Sequence, residues 1–454
     1  MKKISHCRAC GSSALSPAFK IESAAGENRK GVLGRGREAD AEYVFCDPTK
    51  DAHACGLLQN AHVKEGEAPR RVAPSGVYRS VRSGLRALAT EGLELISGRD
   101  CAALDIGCSD GTLLSFYPRW VDRYGVDTLD DVDQIGSWAW SAKAAFPSAD
   151  LDRAFAGKKF DLVTAASVLE EIDEPRAFFA RIKSLLPRDG VLAIETLYAP
   201  LVLTRTAADA MAGGVSAVYS LGVLERLVRD CELKIFRGAL TDKDGGSIRL
   251  FITHDSTEDY DFDPWYERLA QLWDEENALS LRSDQPYHAF DGRARESHAQ
   301  FEQLMKEISD NGETAHLLGS EAAATMLLHW AGKGARAIEA AIGHGENLAA
   351  RRLAGNITVI PEAESRLIGP EYLIVPAALK REMLERWREN ILQGMKLIFV
   401  TPGVYVVHAG NYAAEYGKSL GSSDGAADVD SLRSILSAAG GLRLVSDRAS
   451  RKTA

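Results

Sequence analysis

Short apolar runs alternate with helically spaced apolar positions between residues 80 and 200. Ser80 to Ile96 sets Val81, Leu85, Leu88, Leu95 and Ile96 at roughly helical spacing and predicts a helix. Ala102 to Ile106 predicts a short buried strand. A turn follows, Gly107-Cys108-Ser109-Asp110-Gly111, and then Leu113 and Leu114, which predict an apolar helix start. Tyr124 to Asp127 reads as the next strand and Phe160 to Ala165 as another. Asp173 is a suitable cap, with Pro175 early in the helix behind it. That helix carries Phe178, Phe179, Ile182, Leu185 and Leu186, and Pro187 and Gly190 end it. Gly190 to Glu195 is a further strand. The rhythm predicts parallel strands with helical crossovers. Ligands of such sheets lie beyond the carboxyl ends of strands, where Asp105, Asp127, Glu171 and Glu195 fall.

The flanks pattern differently. Residues 1–72 are loop-rich, and Ser23 to Asp40 holds too many Gly, Arg and Glu to form a core alone. After residue 255, Phe301, Leu304, Met305 and Ile308 mark connecting helices. Ala315 to Gly319 reads as a strand with a glycine turn, before an alanine-rich helix from Glu321. Asn356 to Ile360, Tyr372 to Val375 and Lys396 to Val400 are strands, and Arg381 to Ile391 is a helix. The expected organisation is a module at 1–72, a core at 73–255, connecting helices with a second α/β domain at 256–410, and a tail at 411–454 that contains a linker, Gly421 to Asp428. No internal repeat is found.

Composition narrows the class. The 454 residues carry 54 basic and 64 acidic side chains, a net charge of −10. No basic stripe with interleaved aromatics is present, which argues against a nucleic-acid partner. There is no run of about 18 apolar residues to suggest a membrane span, and the first residues lack an apolar signal region. Seven cysteines without such a region favour reduced thiols or metal ligands. The expected location is the cytoplasm. Cys7-Arg-Ala-Cys10-Gly11 is a knuckle, and Cys46 and Cys55 complete a thiolate set, with Gly56 directly after the last. Four thiolates suit structural, tetrahedral zinc, whose binding would supply folding free energy. Eight residues separate Cys46 from Cys55, so His53 is an alternative ligand, and reduced structural cysteines are the plainer reading.

The turn at Gly107 to Gly111 is the centre of the chemistry. Strand, glycine turn and helix make a nucleotide site in a doubly wound sheet, where glycine lets backbone approach a ligand. The spacing fits neither the dinucleotide fingerprint nor a triphosphate loop. Asp105-Ile-Gly-Cys-Ser-Asp-Gly111 resembles the first motif of class I S-adenosylmethionine (SAM)-dependent methyltransferases. The resemblance implies a Rossmann-like fold in which Asp105, Gly107, Cys108, Ser109, Asp110 and Gly111 line the cofactor and Asp127 takes the ribose hydroxyls. Trp138 and Trp140 read as packed aromatics, with adenine cover as the other reading.

Over roughly residues 1–410 the order of parts is similar to the sugar-nucleotide C-methyltransferases of deoxysugar pathways. The matching stretches are Cys7-x-x-Cys-Gly, Ala54-Cys-Gly-Leu-Leu-Gln59, the SAM turn, Tyr219 to Leu227 and Gly245-Gly-Ser-Ile-Arg249. The resemblance implies a small-molecule substrate, a nucleotide sugar. The chain departs from that family at its Tyr-His-Glu-His run, replaced by Ala212-Gly213-Gly214-Val215. The family's histidine before Gly-Gly-Ser is Asp244, another is Glu171, and a lysine of the C-terminal glycine turn is Ala323. Methylation at carbon beside a carbonyl needs a base, and the remaining candidates are Glu171, Glu195, Tyr198, Tyr219, Asp244 and Tyr78. Transfer to oxygen or nitrogen needs less. A SAM-fold scaffold without transfer is the reading from another class.

Overall fold

The computed structural model describes residues 2–22, 41–63, 76–96, 100–212, 215–319, 321–345, 348 and 352–418. The charged segment Ser23 to Asp40, the boundary between residues 72 and 73, Gly213 and Gly214, and the linker and end of the tail lie outside the described residues.

Five strands open the chain: β1 (Lys2–Lys3), β2 (Leu15–Ile21), β3 (Ala41–Cys46), β4 (Leu58–Asn60) and β5 (His62–Val63). β1 pairs with β5, and β2, β3 and β4 form an antiparallel sheet. That sheet is completed by two residues from far along the chain, Ala217–Val218, which pair with β4.

The core sheet uses β6 (Ala102–Ile106), β7 (Asp122–Asp127), β8 (Trp140–Lys143), β9 (Leu162–Ala166) and β10 (Val191–Leu197). After the module's strand β11 (Ala217–Val218) come β12 (Leu233–Thr241) and β13 (Ser247–His254). The order is β12-β13-β10-β9-β6-β7-β8, and β13 is antiparallel to its neighbours β10 and β12. The order reverses between β6 and β9, the switch point at which a doubly wound sheet opens its crevice. Helix α1 (Arg79–Leu95) covers one face with Leu85, Leu88 and Ala89 against Ala103, Leu162 and Ala193. On the other face α3 (Pro175–Leu185), with Phe178, Phe179 and Ile182, and α5 (Leu221–Arg229) meet Leu104, Val163 and Ile194. The short α2 (Ala149–Ala154) adds Leu151 to this layer, and α4 (Ala199–Thr204) adds Leu201 while its Val202 and Leu203 enter the neighbouring core. Alternate residues of each strand thus face opposite layers, as a two-sided sheet requires.

Two local expectations change. The helix expected after the glycine turn is a single tight turn, Leu114–Phe116, because Pro118 follows and cannot continue a helix. Asp173 does not cap α3. Its carboxylate instead accepts from Arg8 Nε at 2.9 Å and Ser216 Oγ at 3.0 Å, tying the first module to the core.

Helices α6 (Asp263–Ala278) and α7 (Gln285–Asp310) are the expected connectors. α7 also joins the outer domains: Tyr287 stacks on Phe45 and Phe290 meets Phe19, while Phe301, Met305 and Ile308 share a core with Ala315 and Ile338. The C-terminal domain holds β14 (Ala315–Leu318), β15 (Ile338–Ile342), β16 (Thr358–Ile360), β17 (Tyr372–Ile374), β18 (Lys396–Phe399) and β19 (Tyr405–Val407) in the order β16-β15-β14-β17-β18-β19, all parallel except β19. β15 and β19 were not expected from the sequence. Among the described residues no helix is long and apolar enough to cross a membrane.

Candidate active site

The turn beyond β6 is held in a shape that only glycine tolerates at two positions. Gly107 and Gly111 both have φ near +75°, and a Cβ would stand 2.3 Å from Val168 Cγ2 at the first and 2.4 Å from Ile135 Cγ2 at the second. Trp138, exposed at the rim, lies over Gly111. The N–H of Gly107 donates to Val126 O at 2.7 Å, locking the turn to the end of β7. Asp127 closes that strand. One carboxylate oxygen accepts from Ser109 N–H at 2.8 Å and the other from Leu129 N–H at 2.9 Å, so the acid is aimed by backbone. Asp110 accepts from Thr112 N–H at 3.1 Å. The Cys108 thiol points under the turn, against Gly125, and burial pushes its pKa up, so this residue serves the site through its backbone.

Asp105 sits beneath the turn, fully buried. Burial pushes its pKa up to about 7, opposed by a hydrogen bond from Thr164 Oγ1 at 2.7 Å. The Ser109 hydroxyl is buried and has no partner among the described residues. An unsatisfied buried hydroxyl and an oriented carboxylate beside a tight glycine turn together fit a polar, nucleoside-bearing ligand.

A second polar group gathers at the carboxyl ends of β9 and β10. Ser167, just past β9, donates to Asp244 Oδ2 at 2.7 Å. Lys243 Nζ donates to the Ser167 hydroxyl and lies 3.8 Å from Asp244. Glu170 is 5% exposed and accepts from Thr196 Oγ1 at 2.7 Å. Burial pushes its pKa up to about 7, and the Lys243 charge opposes the shift. None of Ser167, Glu170, Thr196 and Lys243 was singled out in the sequence. The adjacent pair Glu170-Glu171 was the available signal, because a tight turn sends neighbouring side chains in different directions.

The sequence-derived base candidates are dispersed. Asp244 belongs to this group. Glu171 is exposed, on the other side of its turn from buried Glu170. Glu195 faces α1 and pairs with Arg249 at 3.2 Å. Tyr219 is fully buried, near Leu169 O at 3.4 Å, and burial holds its pKa above the usual range. Tyr198 donates to Glu276, which accepts from the first amides of α5. Tyr78 turns toward the C-terminal domain, its hydroxyl 2.8 Å from His344 Nε2.

The four cysteines of the first module converge. Their sulfurs lie within 4.8 Å of one another, with Cys7–Cys55 at 3.6 Å and Cys10–Cys46 at 3.5 Å. Tetrahedral zinc with thiolate bonds of about 2.3 Å would set sulfurs about 3.8 Å apart. Gly11 and Gly56, at φ +76° and +88°, turn the chain behind each knuckle, and their N–H groups donate to Cys7 O and Cys46 O. His53 is exposed and is not part of the cluster.

Comparison with known proteins adds two family matches. Residues 79–236 match a methyltransferase domain model, and residues 242–402 match the model of a C-methyltransferase C-terminal domain. No curated protein matches the chain. Among solved structures, a SAM-dependent methyltransferase from Clostridium acetobutylicum aligns at 13% identity over 39% of this chain and 92% of its own, with a TM-score of 0.30. Magnesium protoporphyrin IX methyltransferase from Synechocystis, with bound S-adenosylhomocysteine, aligns at 16% identity over 38% of this chain and 84% of its own, with a TM-score of 0.31. On the two domain matches, the chain is a methyltransferase with a C-methyltransferase C-terminal domain.

Proposed function

We propose that the chain methylates a carbon beside the carbonyl of a sugar nucleotide or a similar small polar metabolite. The observation that carries this reading is the C-methyltransferase C-terminal domain match directly behind the methyltransferase core. Asp127 would accept from the cofactor's ribose hydroxyls, and the backbone of Gly107 to Gly111 would border the rest. SAM supplies an electrophilic methyl group. The protein's part is to hold the acceptor in line and to take a proton from it. The four cysteines would hold one structural zinc, a closed site with no open position for chemistry.

A second reading has its own support. Ala212 and Val215, two of the four residues at the place of the family's acid-base run, are buried and carry no acid or base. Transfer to oxygen or nitrogen, or binding without transfer, would need none there.

Calorimetric titration with SAM and S-adenosylhomocysteine tests the cofactor assignment. Wild-type protein should bind both in the micromolar range, and Asp127→Ala should bind SAM at least tenfold more weakly, a loss of about 1.4 kcal/mol or more. Equal affinity in the two would remove the assignment. Incubation with SAM and nucleoside-diphosphate-linked keto sugars should then give a methylated product whose NMR spectrum puts the new methyl on carbon. A methyl on oxygen or nitrogen would replace the first reading with the second.

A further inference from the structure

We propose that Glu170 and Lys243 together make the acceptor carbon nucleophilic: Glu170 takes the proton beside the carbonyl, and the Lys243 ammonium faces the oxygen that becomes negative. The proposal rests on the C-methylation reading and names the residues that would carry it.

Three observations converge. The first is position. Lys243 Nζ is fixed on the Ser167 hydroxyl at the end of β9, and its charge is felt both by Asp105 at the cofactor turn and by Glu170. The ammonium is therefore held on the Ser167–Asp244 pair, within electrostatic reach of both the acid beneath the turn and the buried Glu170 carboxylate.

The second is strain. Ser167 and Asp244, joined by a 2.7 Å hydrogen bond, are non-glycine residues at φ +55° and +51°. Such backbone persists only where its surroundings enforce it, and it clusters at sites of function. Here the two strained residues flank Lys243 and set its direction.

The third is the chain tied to Glu170. The chain from Ala212 to Val215 leads into Ser216, whose N–H donates to Glu170 O at 2.7 Å. Val215, the last residue of the stretch without an acid or base, is thus joined to a residue tied to the Glu170 backbone, and Glu170 can supply the carboxylate that Ala212 and Val215 lack. Two other cations of this region are already committed. Arg8 is bound to Asp173, Asn60 O and His62 O, and Arg205 to Asp242 and Gly245 O.

The chemistry balances without a further reactant. The C–H bond beside the carbonyl breaks, its proton goes to the Glu170 carboxylate, and its electron pair becomes the enolate, with negative charge on the oxygen facing Lys243. The enolate carbon then forms the C–C bond to the SAM methyl as the C–S bond breaks, leaving S-adenosylhomocysteine. Glu170 returns its proton to solvent.

The test is deuterium wash-in from D2O at the carbon beside the ketone of a thymidine-diphosphate-linked 4-ketohexose, with S-adenosylhomocysteine in place of SAM so that transfer cannot mask it. Wild type should exchange. Glu170→Gln should abolish exchange. Lys243→Met should slow exchange and kcat by about 100- to 1000-fold, the usual loss of an oxyanion partner, and Lys243→Arg should recover part of it. SAM affinity should stay within about twofold in every variant, which shows that each has folded. A wild type that exchanges together with a Lys243→Met or Glu170→Gln variant that exchanges as fast would overturn the roles and leave C-methylation standing. A wild type that binds SAM but neither exchanges nor methylates any keto sugar would overturn the acceptor reading and these roles with it.

Discussion

Arg249 and Glu195 lie directly opposite each other on β13 and β10, with side chains 4% and 1% exposed. Arg249 also reaches Glu91 and Gly84 O on α1, and Glu91 is held as well by Arg237. The cluster is lopsided. Removing Glu195 leaves Arg249 with Glu91, whereas removing Arg249 leaves Glu195 with nothing, since its second oxygen already lacks a partner among the described residues. Arg249→Met should therefore cost about 3–5 kcal/mol, the usual penalty of an uncompensated buried charge. Glu195→Gln should cost about 1 kcal/mol, one modest hydrogen bond. The double variant should cost less than Arg249→Met alone, with a coupling of about 2 kcal/mol. A chain of several domains does not unfold in one step, so the assay is native-state hydrogen exchange of the β10 and β13 amides. Additivity within about 0.5 kcal/mol would refute the lopsided pairing. Because Glu195 faces α1 and not the cleft, Glu195→Gln should keep SAM affinity and turnover, and lost turnover with intact exchange protection would restore it as a base.

Three further outcomes are expected. Gly107→Ala forces both a clash with Val168 and a strained φ, so calorimetry should show SAM affinity reduced at least tenfold, about 1.4 kcal/mol; normal affinity would mean that the turn relaxes freely. Purified protein should contain one zinc per chain by elemental analysis, and Cys46→Ser should lose both the metal and thermal stability; metal-free protein with an ordered first module would remove the zinc. Asp105 has its pKa raised by burial from 3.8 to about 7, so the stability it contributes is full below its unfolded value and is lost as pH rises through about 7. The cofactor-free protein should lose about 2 kcal/mol from this group between about pH 5.5 and about pH 8, and Asp105→Asn should flatten that slope; an unchanged slope would show that Asp105 is already ionised when folded.

What the sequence disclosed follows the range of each signal. The glycine turn is legible because backbone shape demands glycine at fixed places. Helix α1 is legible because Leu85 and Leu88 repeat at its period. β15 is not, because Ile338-Glu-Ala-Ala-Ile342 is rich in alanine, the strongest helix former, and only its neighbours make it a strand. The residues proposed for the cofactor come from two strand ends close in sequence, so they could be named together. Glu170 and Lys243 come from separate elements that only the closed sheet brings together. Ser167 carries no motif, and its strained backbone is visible only in three dimensions.

The strand at Ala217–Val218 gives the first module a dependence on time. Its β4 edge pairs with residues that leave the ribosome only after most of the core has been made. Until then the edge stays open, with unpaired amides and carbonyls ready to join another chain. Metal capture by the four cysteines could begin early, but the sheet beside them would finish late. A fragment that stops before residue 217 would keep all four cysteines of the cluster and still present a sticky edge, so it would aggregate even when saturated with zinc.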